Sequence, residues 1–220
     1  MATNLIANGI ITLQLLLPAF NEFADRAELG LRLPLDEKRV TKSYISKNQL
    51  SPGAMAVFDG QHQINWNSST NNPWTGRFLY YDNSNSVAKV ERTKLPELAK
   101  LKSVIPTNGA REIAERCLKK LGYDLKKANA APPIVYQWTY DPQQPGEDAV
   151  LLPAFGLRWL PEGTREPHWS QILLEMEVSG LTRRITRFEP QPGAAKASSI
   201  DLREFTFTTN RIENKLAPRK

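Results

Sequence analysis

The chain has 220 residues, 40% hydrophobic and 24% charged, which suits one large domain or two small ones. A single cysteine excludes an intrachain disulfide framework and a cysteine-based zinc ribbon. Two histidines leave little for a histidine metal centre. Lys and Arg number 29 against 23 Asp and Glu, a net charge of +6 that favours acidic partners in general.

The positive charges are scattered: Lys38, Arg39 and Lys42; Arg116, Lys119 and Lys120; Arg183, Arg184 and Arg187; and Lys215, Arg219 and Lys220 near the end. With no long basic run, they read as a solvated surface, and no specific nucleic-acid partner is expected. Gly9 to Phe20 is the most apolar stretch. Gln14 and Pro18 interrupt it, and it falls short of the ~20 apolar residues that span a bilayer. No Lys or Arg precedes it, so it reads as core, neither membrane span nor export signal.

Pro18 is expected to open a helix carrying Phe20, Phe23, Ala24, Ala27 and Leu31, with Gly30 as its stop. Residues 36–53 read as charged and irregular, up to a turn at Ser51-Pro52-Gly53. Short aromatic or β-branched segments then predict strands at Ala54–Phe58, Gln61–Trp66, Arg77–Tyr81 and Ser86–Arg92. Asp59-Gly60 is the first hairpin turn.

The clearest element is a helix that Asn108 can cap. Its apolar stripe is Ala110, Ile113, Ala114, Cys117, Leu118 and Leu121, its other face is charged, and Gly122 closes it. More strands are expected at Ile134–Tyr140, Phe155–Leu160, Gln171–Val178, Leu181–Phe188 and Glu204–Thr209, with a two-residue turn at Ser179-Gly180. Pro190 to Ser199 reads as a loop, and the end of the chain as frayed.

Helix followed by strands occurs twice, so the expected class is α+β, with two similar cystatin-like halves of one helix on an antiparallel sheet. The boundaries are 1–100, 101–190, and 191–220 for the loop, a last strand and the tail. The second half resembles the PepSY-like domains in AREIAERCLKKLGYD (Ala110 to Asp124), FGLRWL (Phe155 to Leu160) and ILLEMEVSGLTRRITRF (Ile172 to Phe188). Where that family's turn usually carries Asp, this chain has Ser179. The whole chain is similar to exported bacterial proteins built of two such halves. The resemblance implies an extracytoplasmic, non-enzymatic module that binds or inhibits a protein, such as a peptidase, or a cell-envelope component. It carries over no catalytic residue.

The residues themselves offer little catalysis. Cys117 lies on the apolar stripe and reads as an inert buried thiol. His62 near Asp59 resembles a base held by a carboxylate, but no nucleophile is placed beside it; His168 reads as a loop residue. Glu175 and Glu177 lie ~7 Å apart on one strand face, and an exposed face opposite the core accounts for them. Phosphate-loop, dinucleotide, nucleophile-elbow and H-E-x-x-H motifs are absent from the sequence. No catalytic, cofactor-binding or metal-binding residue is therefore assigned. The aromatics offer candidate ligand-stacking rings at Trp74, Trp169 and Tyr81. Three readings follow: an extracytoplasmic binding or inhibitor-like module, a carbohydrate- or envelope-binding face, or a hydrolase whose site has no motif. The expected location is extracytoplasmic, with the signal peptide absent from this sequence, and a cytoplasmic location is the alternative.

Overall fold

A computed structural model describes residues 13–46, 53–67, 78–122, 132–140, 149–160 and 172–190. The expected elements at Ser51-Pro52 and Glu204–Thr209, the 191–220 tail, and the residues Trp74, His168 and Trp169 lie outside them.

Helix α1 spans Leu13–Arg26, so Pro18 stands inside it and not at its first position. Burial explains the earlier start: Leu16 extends the buried face of Ala19, Phe20, Phe23 and Ala24 upstream by a turn. That gain offsets the one hydrogen bond a proline cannot donate. The stop is Glu28, not Gly30. Glu28 takes φ 52, its N–H bonds the Asp25 carbonyl at 3.1 Å, and the Leu29 N–H bonds the Ala24 carbonyl at 3.1 Å. This pair of bonds closes a helix with one left-handed residue, usually glycine.

Strand β1 (Val40–Ile45) lies in the stretch expected to be irregular. Thr41 to Tyr44 are exposed, so no alternating burial marked it. Backbone pairing to β2 (Gly53–Phe58) makes it a strand. β3 (His62–Asn67) and β4 (Phe78–Asn83) complete an antiparallel meander. Ser86–Arg92 is not a strand. It forms a single 3-10 turn at Val87–Lys89, and a second at Arg92–Lys94 leads into the short α2 (Leu95–Ala99). The N–H groups of Val87 and Ala88 bond the Glu177 carboxylate at 2.8 and 3.2 Å, not a neighbouring strand.

Helix α3 (Thr107–Lys120) buries Ala110, Ile113, Ala114, Cys117 and Leu118, and Leu121 just past its end, and leaves Lys119 and Lys120 in water. Asn108 does not cap it: Pro106 holds that position without a side-chain bond, and the helix already includes Asn108. Glu28 explains its own strained place here. Its carboxylate bonds Arg116 (3.1 Å) and Lys120, which hold its pKa below the ordinary value, Lys120 most, and tie the end of α1 to α3. Burial pushes the Cys117 thiol well up. The native chain should therefore react with a thiol reagent at neutral pH only after urea unfolds it; full native reactivity would contradict this packing.

The remaining strands are β5 (Ile134–Tyr140), β6 (Val150–Trp159), β7 (Leu174–Ser179) and β8 (Ile185–Pro190). The β7–β8 connection is longer than two residues. Ser179 and Arg184 flank it, Arg183 sits at φ 58, and the Ser179 hydroxyl accepts from the N–H groups of Leu181 and Thr182 at 3.2 Å each. A serine that satisfies two loop donors favours this wider turn.

All eight strands form one antiparallel sheet in the order β1-β2-β3-β4-β8-β7-β6-β5. With three α-helices among the described residues, the class is α+β. β4 meets β8 edge to edge through the pairs Tyr81–Phe188 and Asp82–Arg187. Register aligns Leu157, Met176, Phe188, Tyr81, Ile64 and Ala56 in one buried row across six strands. Helices α1 and α3 pack on this face. Phe20 of α1 meets Phe58 edge-on at 6.3 Å, Phe23 meets Phe188 at 5.5 Å, and α3 packs on β5, β6 and β7.

Candidate functional site

The other face of the sheet is polar. Register places Gly156, Glu177, Arg187, Asp82, Gln63 and Val57 in one row there. Glu175 and Glu177 are buried, at 8% and 2% exposure, contrary to the expected open face. The Val87–Lys89 turn folds over Glu177, which also accepts from the Thr186 hydroxyl at 2.8 Å. Burial raises the Glu177 pKa, and these hydrogen bonds offset only part of that. Glu175 accepts from Arg158 Nε at 3.1 Å and from the Tyr136 hydroxyl at 3.3 Å. Asp82, 1% exposed, meets Lys89 Nζ at 2.5 Å and the Tyr80 hydroxyl at 3.1 Å. These carboxylates are engaged in holding strands and turn together, so Glu175 and Glu177 are not a free acid–base pair.

Over β1–β3 the same face is open. Lys42 and Tyr44 are exposed, Tyr44 at 62%, and Met55, Val57, Gln63 and Asn65 beside them are half-buried. The Gln63 amide donates to Asn65 Oδ1 at 3.2 Å, which fixes two of the polar groups in this patch.

At one end of the sheet a half-open cavity of about 490 Å³ lies among the segment after α1, the start of β3, the end of β4 and the β7–β8 connection. Arg32, His62, Asn83, Asn85, Thr182 and Arg184 supply its polar groups. His62 Nδ1 lies 2.9 Å from the Tyr81 hydroxyl, and the two rings are stacked at 6.2 Å. Burial lowers the His62 pKa, and Asp59 opposes that from a distance. Asp59 is not the partner of His62. It forms a two-point pair with Arg39 at 2.5 and 3.1 Å, which holds its carboxyl below the ordinary value.

Tyr81 is fully buried in the helix-facing row, so its ring has no face left for a ligand to stack on. Trp66 and Trp159 are buried as well. No local spacing in the sequence marks Arg32, Asn83, Asn85 and Arg184 as a group, because three segments far apart along the chain bring them together.

Among the described residues no group of three or more His, Cys, Asp or Glu is arranged to hold a metal ion. No helix among them is long and apolar enough to cross a membrane. Comparison with protein-family models, curated proteins and solved structures finds no match to the chain.

Proposed function

We propose that the chain is a non-catalytic, extracytoplasmic binding module that lays the open sheet face over β1–β3 against a protein or cell-envelope polymer. The observation that carries this reading is Tyr44: a large aromatic ring 62% exposed on an edge strand, beside exposed Lys42. An exposed ring with a cation and fixed amides beside it suits an extended, acidic or hydroxyl-rich partner. The order of helix and four-strand meander in each stretch, α1 with β1–β4 and α3 with β5–β8, supports the assignment of two similar cystatin-like halves, the second PepSY-like.

Titration of the isotopically labelled chain with soluble peptidases and with cell-wall polymer fragments tests the reading. Backbone shifts should cluster at Lys42, Tyr44 and Asn65, and Tyr44→Ala should weaken binding about tenfold or more without lowering the melting temperature. Turnover of a peptide, ester or glycoside that disappears in His62→Ala would overturn it in favour of a hydrolase. Cell fractionation tests the compartment.

A further inference from the structure

The cavity at the end of the sheet has a chemistry of its own, independent of the open face. Among the described residues it is lined by two arginines, Arg32 and Arg184, and by no aspartate or glutamate. Neither arginine forms an ion pair with a carboxylate among the described residues. Asp59, bonded to Arg39, acts on Arg32 only from a distance, and Arg184 Nη1 donates to the Glu28 carbonyl at 3.5 Å. Guanidinium groups that bond no carboxylate favour an anion, and above all a planar or tetrahedral oxyanion that accepts two bonds at once.

The groups are held in place before any ligand arrives. Arg39, anchored by Asp59, donates to the carbonyls of Arg32 and of Pro34 (3.0 Å), which fixes the backbone that carries Arg32. Arg184 runs its aliphatic stem past Gly30, where an added Cβ would sit 3.5 Å from its Cγ. Asn83 Oδ1 accepts from the Asn85 N–H at 2.9 Å, and Asn85 Nδ2 reaches Gln61 Oε1 at 3.5 Å. Tyr81 occupies Nδ1 of His62, which leaves Nε2 as the ring's free nitrogen.

A volume of about 490 Å³ is the size of a small-molecule site and far exceeds one phosphate ion. We propose that this cavity binds a hydroxyl-rich small molecule bearing a carboxylate or phosphate. Arg32 and Arg184 take the anionic group. His62, Asn83, Asn85 and Thr182 take the hydroxyls.

Calorimetry and amide-shift titration of the full chain with glucose 6-phosphate, glucuronate, glucose and inorganic phosphate test this. At least one of the two sugar acids should bind and shift the resonances of His62, Asn83, Asn85 and Thr182. Arg32→Gln and Arg184→Gln should each weaken that binding about tenfold or more, with circular dichroism and melting temperature unchanged. Tyr44→Ala should leave it intact, which separates this site from the open sheet face. Glucose binding as tightly as its phosphate, inorganic phosphate binding as tightly as either sugar acid, binding unaltered in both arginine variants, or no binding to any of the four would overturn the proposal.

Discussion

Phe188→Ala is expected to cost about 3–5 kcal/mol of folding stability, the range for a large aromatic lost from a packed core. Phe188 is 2% exposed, lies between Tyr81 and Met176 in the buried row, and meets Phe23 of α1 in an edge-type contact with ring centroids 5.5 Å apart. The two meanders are joined through two register pairs, and this ring belongs to one of them. Its loss therefore removes helix-to-sheet packing and meander-to-meander packing together. Urea unfolding should show a lower midpoint with an unchanged slope. A loss under about 1 kcal/mol would mean that the row does not pack continuously across the joint.

Glu177→Ala is expected to cost about 2–4 kcal/mol at neutral pH, because the Val87 and Ala88 N–H groups and the Thr186 hydroxyl lose their acceptor. Glu177→Gln separates charge from shape. Burial raises the folded pKa of Glu177 above its ordinary 4.5, so the folded chain holds this proton more tightly than the unfolded one. Its contribution is then full below the unfolded value and declines as pH climbs through the folded one. The stability difference, wild type minus Glu177→Gln, should fall as pH rises above about 4.5. His62 acts in the opposite sense, since its pKa is lowered and its contribution is lost on acidification. Both chains carry His62, so the difference cancels it. A difference that grows with pH would contradict the burial of this carboxylate.

What the sequence discloses follows from where each pattern has its cause. The α3 stripe from Ala110 to Leu121 is legible because one face is buried and the other wet, so the 3.6-residue period appears in residue types. Strands β2 and β3, and the Asp59-Gly60 turn between them, are legible for the same local reason, with Asp59 and Gly60 both at positive φ. β1 is hidden because pairing, not burial, makes it a strand. Glu175 and Glu177 alternate with apolar residues as exposed carboxylates do. The turn that buries Glu177 comes from 90 residues earlier in the chain. Adjacent Tyr80 and Tyr81 point to opposite faces, and only the register with Phe188 shows that Tyr81 is the one buried among the helices.

The strand order also sets a timetable for synthesis. Every neighbouring pair in the sheet joins strands consecutive along the chain, except β4 with β8. The first meander can assemble as soon as β4 has left the ribosome, but the flank of β4 then waits for β8. At about 5–20 residues per second, the roughly 100 residues between them take roughly 5–20 s. For that interval the nascent chain carries a raw sheet edge at Tyr81 and Asp82, where another nascent chain or a chaperone can dock.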